Sequence, residues 1–451
     1  MQLGRTGRRS PTRLPEEPTR GARFWRRALV VAALLATGAS LLAACGGESG
    51  APTITWYINP DPNPPEGFTG AFGQAGIAER CSTDEYTVET ELLPQSATEQ
   101  RVQLLRRLVA EDSSISLMSL DPVFTAELAA ADFLAPIPDD VAEELTQNTL
   151  KGAIEGATWD DELVVAPLWA NTQVLWFRKS LTEKAGLDMT KPVTWDQVID
   201  AAADNDSTVG VQANNYEGYV VWINALVEGA GGDIVSDTQA GPDASVDIGE
   251  EPGKMAAEVI QKLASSPAAQ ADLSVSNEGT VIGPFASDNG GFQVNWTFVY
   301  GGYKADKKVL DDLGWARYPQ TVQGEQSRPP IGGINIGISR FAPNQDLAAK
   351  AVKCITSEAQ QVTYAIDTAN MPAREAAYEN PKLRDQFPAD LLTLWRTSID
   401  SAGPRPASAY WATIVNATLA RWHPANSVDP ASTPESSADF IEQALQGKVL
   451  L

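Results

Sequence analysis

The residues able to do chemistry are defined first by what is missing. The chain carries one histidine, His423, and three cysteines, Cys45, Cys81 and Cys354. A lone imidazole cannot build a histidine-based metal site or serve several catalytic roles, and no GxxxxGK[ST], GxSxG, HExxH or CxxC run is present. His423, between Trp422 and Pro424 after an amphipathic stretch, reads as a surface cap. Glycoside hydrolysis stays open, because it needs only two carboxylates at a set separation plus aromatic platforms, and the chain has 58 Asp+Glu. Availability of a pair is weak evidence when carboxylates are this abundant. The 12 tryptophans are more telling, since several tryptophans and tyrosines stand beside carboxamides, carboxylates and glycines near the ends of strand-like runs. Sugar rings offer apolar C–H faces to aromatic rings and hydroxyls to Asp, Glu, Asn or Arg, so this combination suits a carbohydrate.

The elements that must position such groups belong to a 451-residue chain of net charge −24 with 43% hydrophobic residues. That length predicts two or three domains, each able to bury its own core. Residues 1–27 hold eight arginines against Glu16 and Glu17, and residues 28–44 are an apolar run ending Leu42-Ala43-Ala44-Cys45. This reads as a lipoprotein signal peptide over 1–44, with Cys45 as the lipidated residue and 45–52 as a flexible tether; an uncleaved signal anchor is the alternative. Two or more acyl chains on Cys45 would hold the protein on the outer face of the cell membrane through lipid alone. Without the leader the net charge is about −30, which repels phosphate backbones and argues against a nucleic-acid partner. Once Cys45 is assigned to lipid, Cys81 and Cys354 are expected to pair in an oxidising compartment, the alternative being two buried free thiols.

Short β-branched or apolar runs at 53–58, 88–93 and 115–120 are separated by helix-length stretches, a rhythm that predicts βαβ units and a parallel sheet. Ser96 and Glu99 fit a capping box ahead of a helix whose Leu104, Leu105, Leu108 and Val109 share a face. Further helices are predicted over 195–203, 219–230, 255–265, 391–401 and 410–421, with a glycine-rich stop at 229–232 and a strand over 331–339.

The succession Leu120-Asp121-Pro122, then Ala166–Leu181, then Asn295-Trp296 resembles family 1 extracellular solute-binding proteins of ABC sugar importers. Glu99–Leu108, Val211–Trp222, Val294–Phe298, Ile331–Asn335 and Arg405-Pro406-Ala407 are most similar to the trehalose-binding lipoproteins of mycobacteria. The likeness spans nearly all of residues 53–451 and includes the positions of Cys81 and Cys354. It implies an α/β, periplasmic-binding-protein-like type II fold: two discontinuous lobes joined by a hinge, with ligand in the interlobe cleft. The lobes would be 53–170 plus 328–375 and 171–327 plus 376–451. It also implies a monomeric, non-enzymatic receptor without cofactor or metal, binding trehalose or a maltose-like disaccharide and passing it to two ABC permease subunits with a cytoplasmic ATPase.

The ligand set carried over by the resemblance is Glu66, Gln100, Asp121, Asn171, Glu217, Asn295, Trp296, Gly332, Gly333 and Arg405. Each has a plainer alternative. Asp121 could be a helix N-cap, Glu217 a carboxylate favoured by a helix dipole, Gln100 a solvated helix residue, Asn171 a turn residue and Trp296 core packing. Arg405 between Pro404 and Pro406 is a rigidly presented guanidinium, and Gly332 and Gly333 permit close backbone approach. The loop 60–67, with four prolines, departs from the family pattern, and Trp411 has no clear counterpart in the trehalose binders. Both departures bear on which sugar fits.

Overall fold

The expected rhythm is visible from residue 53 onward. In the computed structural model, which describes residues 50–64 and 67–451, strand β1 (Thr53–Ile58), helix α1 (Gly73–Cys81), strand β2 (Thr87–Leu92), helix α2 (Ala97–Val109) and strand β3 (Leu117–Leu120) follow one another. The leader, Cys45 and Glu66 lie outside the described residues. β1 pairs in parallel with both β2 and β3, as helical crossovers on a twisted sheet require. Only half of the expected capping box forms on α2: the Ser96 side chain accepts from the Glu99 amide. Leu104 and Leu108 are buried beneath it, whereas Val109, expected on the same face, ends the helix exposed.

Beyond β3 the sheet becomes mixed. It continues through β4 (Ala166–Arg178), β5 (Thr208–Gly210), β6 (Gly290–Trp296), β7 (Leu313–Ala316) and β8 (Ile331–Ile338), in the order β2-β1-β3-β8-β4-β6-β5, with β7 also against β4. β8 runs antiparallel to β3 and to the first half of β4, up to Thr172. From Gln173 onward β4 changes partners and runs antiparallel to β6 and β7. The expectation of a parallel sheet therefore holds for β1–β3 and is corrected for the middle. The antiparallel pairings of β8 with β3 and β4, and of β6 with β4, join segments more than a hundred residues apart, which local periodicity does not encode. All 13 residues of β4 are buried, the polar Asn171, Thr172, Gln173 and Arg178 included, as in a strand covered on both faces.

Four more helices matter below: α3 (Glu217–Gly229), α5 (Glu358–Thr368) and α6 (Trp411–Trp422) join α2 in carrying side chains that form or brace the site, and α4 (Gln345–Ile355) carries Cys354. α3 is apolar nearly all round and buried nearly throughout. It starts two residues earlier than predicted, which puts Glu217 in its first turn, and it stops in the glycine-rich run where Gly231 takes a positive φ of 85°. One apolar cluster draws on residues of β1, β8, α1 and α4, and another on Trp195, Trp222, Trp411 and Trp422. A further cluster around Trp176, Tyr300 and Trp395 takes in Ala170 and Ile331, so β4 and β8 contribute to more than one interior. Cys81 on α1 and Cys354 on α4 form a disulfide with Cα atoms 5.7 Å apart, as the cysteine count predicted. His423 is half-buried at the C-cap of α6, where Nε2 lies 3.0 Å from the Ser274 carbonyl. No described helix is long and apolar enough to cross a membrane.

Candidate functional site

The sheet ends surround a cleft of about 710 Å³. Its centre is a clasp of three charges. Asp121 directly follows β3, and its Oδ1 both accepts from the Val123 amide at 3.2 Å and receives Arg405 Nη2 at 2.7 Å. The N-cap and site readings of Asp121 are thus compatible. Glu217, in the first turn of α3, receives Arg405 Nη1 at 2.9 Å and the Trp411 indole N–H at 3.4 Å. Arg405 also reaches the Ile331 carbonyl at 3.4 Å, and only 3% of its side chain is exposed. Burial pushes the Glu217 carboxyl up; the Arg405 charge opposes that and Asp121 reinforces it. For Arg405 burial acts downward, but the charges of Asp121 and Glu217 more than offset it and hold the guanidinium firmly protonated.

Around this clasp two tryptophans, Trp296 and Trp169, line the cleft. The Trp296 ring lies at Gly332, where an added Cβ would fall 2.8 Å from the ring and 3.0 Å from Asn171 Oδ1. Gly332 is paired with Asn171 across the β8–β4 ladder. Tyr216 and Glu278 also line the cleft, and burial together with the negative charges of Glu217 and Asp121 pushes Glu278 up. Trp169 stacks on Tyr364 of α5, with ring centroids 4.6 Å apart and planes 24° off parallel. Tyr364 donates to Asp61 at 2.6 Å, Asn370 Nδ2 lies 3.4 Å from the Tyr364 hydroxyl, and Asn171 donates to Asn370 Oδ1 at 3.3 Å. Burial pushes Asp61 up, while bonds from Tyr364 and Gln74 act against it. Gly333, at φ 142°, pairs with Ala170, and a Cβ there would strike the Trp169 carbonyl at 2.2 Å. Here glycine is required by the backbone itself.

Eight of the ten carried-over residues line this cleft: Gln100, Asp121, Asn171, Glu217, Trp296, Gly332, Gly333 and Arg405. Gln100 is buried, its amide tied to the Pro94 carbonyl at 2.9 Å. Asn295 does not line it. Its side chain donates to the Glu278 carbonyl at 2.9 Å and accepts from the Trp296 amide at 2.8 Å, so it positions both neighbours instead. Glu66 lies outside the described residues. Trp411 is fully buried behind Glu217, not in the cleft. Asp61, Trp169, Glu278 and Asn370 were not picked as site residues from the sequence. The proline run around Asp61 and the place of Trp169 within the Ala166–Leu181 segment are the sequence signals that bear on them.

Comparison with known proteins gives the same outline. The sequence model for the family described as bacterial extracellular solute-binding protein matches residues 84–362. A probable ABC transporter-binding protein of Deinococcus radiodurans is 22% identical over 317 residues, 67% of this chain and 72% of that protein. Among solved structures, maltose-bound MalE3 of T. maritima superposes with a TM-score of 0.74 at 23% identity, over 88% of this chain and 100% of the other. The GacH receptor of Streptomyces glaucescens GLA.O, studied unliganded and with acarbose, gives 0.70 at 20% identity over 88% and 98%. The cyclic α-maltosyl-1,6-maltose binding protein of Arthrobacter globiformis gives 0.69 at 16% over 88% and 100%.

Proposed function

The chain belongs to the bacterial extracellular solute-binding protein family and is a binding protein, not an enzyme; from that premise we propose that its solute is a disaccharide, trehalose first and a maltose-like glucoside second. The observation that carries the reading is a single cleft lined by two tryptophans, Trp169 and Trp296, beside carboxylates and carboxamides, which offers both ring faces and hydroxyl partners to a sugar. Its volume of about 710 Å³ lies within the range of small-ligand pockets. Structural neighbours whose ligands are maltose, acarbose and a cyclic maltosyl-maltose support a glucose-based oligosaccharide.

In this reading the Asp121–Arg405–Glu217 clasp orders the central hydroxyl contacts, and the acids are already engaged by a guanidinium rather than free to act as an acid–base pair. The two expected lobes, 53–170 plus 328–375 and 171–327 plus 376–451, close around the sugar, and the change of partners within β4 at Thr172–Gln173 is the natural crossover between them. Lipid on Cys45 keeps the receptor beside two permease subunits with their ATPase. Calorimetry of the leaderless protein with trehalose, maltose and longer glucans tests this: saturable one-to-one binding with no glucose released is expected. Turnover of either disaccharide, or no binding of any member of the panel, overturns the reading.

A further inference from the structure

A second cavity, of about 380 Å³, shares Trp169, Gly332 and Arg405 with the cleft and is also lined by Glu228 and Asp233. Glu228 lies in the last turn of α3, the helix that begins with Glu217. Its Oε1 accepts from Asn224 Nδ2 at 2.9 Å, and that same amide lies 3.3 Å from the Pro404 carbonyl. The other oxygen is packed against Gly403, where an added Cβ would sit 1.7 Å from Oε2. Gly403 is in turn tied to the approach to β8: its N–H donates to the Pro329 carbonyl at 2.8 Å and its carbonyl accepts from the Ile331 amide at 3.3 Å. Two residues on stands Arg405, fixed between prolines whose φ cannot adjust.

We propose that Glu228 is a positioning residue for Arg405: its carboxyl props the Gly403–Pro406 segment against β8, and ligand affinity falls when that prop is withdrawn. The affinity half rests on the reading of the cleft as the sugar site; the positioning half does not. Burial pushes Glu228 up to about 8, with the Asn224 bond and Arg328 acting downward and Asp233 upward. The charged groups around it are Asp233 on the chain after α3 and Arg328 ahead of β8, with Glu155 and Arg405 across the shared cavity. None of them is within ion-pair distance of its carboxylate among the described residues. An ionised Glu228 is therefore a buried charge without a partner, and the cheapest relief is to move away from Gly403 toward water.

The test is trehalose calorimetry at pH 6.5 and 9 on the wild type and Glu228→Gln. With a midpoint near 8, binding that requires the neutral form weakens roughly tenfold by pH 9. The Gln variant should change less than twofold and match the wild type at low pH. A ligand-free readout accompanies it: exchange of the Gly403 amide, corrected for intrinsic rate, should rise at pH 9 in the wild type and stay constant in the variant. Equal pH dependence in both proteins, or unchanged Gly403 exchange in the wild type, overturns the proposal. If the wild type binds no sugar at pH 6.5, the sugar reading fails and the exchange data alone decide the role of Glu228. Should Glu228→Gln not fold, the wild-type exchange profile still decides it.

Discussion

Replacing Arg405 by methionine removes a charge while keeping an unbranched side chain of similar reach. In the folded protein the guanidinium lies 2.7 Å from Asp121 and 2.9 Å from Glu217, with 3% of its side chain exposed. At an effective dielectric near 20, unit charges 4 Å apart attract by about 4 kcal/mol, so the variant forfeits roughly 8 kcal/mol of gross attraction and leaves both acids in place. Proton uptake limits the damage. Neutralising a carboxyl of ordinary pKa at pH 7 costs about 3.4 kcal/mol, and Glu217, already pushed up by burial, takes the proton first. Asp121, at 19% side-chain exposure, can regain water instead.

The expected loss of stability is about 3–5 kcal/mol at pH 7, the range for a buried pair stripped of one partner. Removing Arg405 raises the Glu217 pKa further in the folded state. A raised carboxyl contributes fully at low pH, where it is protonated folded and unfolded alike, and its contribution is lost as pH rises toward the folded value. The deficit against the wild type should therefore be smaller at pH 5 and widen toward pH 7.5. Urea unfolding of the ligand-free proteins at both pH values measures it, and the variant should bind no disaccharide. A deficit equal at the two pH values, or under about 1 kcal/mol at pH 7.5, would refute the electrostatic account of the clasp.

Gly332→Ala places a methyl group 2.8 Å from the Trp296 ring and 3.0 Å from Asn171 Oδ1. Disaccharide affinity should fall at least tenfold while the melting temperature barely moves; unaltered affinity would remove Trp296 from the site. Gly333→Ala meets backbone rather than a movable side chain, so titration with urea should show a loss above about 2 kcal/mol. Closing a loop across 273 residues gives the disulfide roughly 5–6 kcal/mol in the chain-entropy account, of which about 2–5 is commonly realised. Cys81→Ala with Cys354→Ala should lose that much stability and keep affinity within twofold, since neither residue lines the cleft; a large loss of affinity would tie the bridge to the site.

Much of this protein is local and was therefore legible. β1 falls on the short β-branched and apolar run that predicted it, and α2 begins at the Ser96 cap. Residues such as Asp121 and Glu217 sit at element ends, where side-chain type and position can be read together. Their joining through Arg405, 284 and 188 residues along the chain, could be carried over from family likeness, but no local spacing encodes it. The structure sets Asn295 off the cleft lining and brings Asp61 onto it. Asn295 has the right chemistry for a sugar, yet it is buried, donating to the Glu278 carbonyl and accepting from the Trp296 amide. Asp61 stands in a proline-rich loop with no periodic signal, and becomes part of the cleft because Tyr364, 303 residues away, is brought to it.

By itself, then, the sequence determined the chemistry on offer: an acidic, nearly histidine-free chain with tryptophans beside polar groups, two extracytoplasmic cysteines to pair, and helices and strands whose apolar faces fix their own periods. Tertiary structure decided the direction of the central pairings, the partner of each charged group, and which polar side chains had capacity left for a ligand. Hydrogen-bond capacity is finite, and burial makes an unmet group costly. Whether Asn295 or Glu228 faces ligand or braces the chain thus depends on neighbours that only the fold supplies.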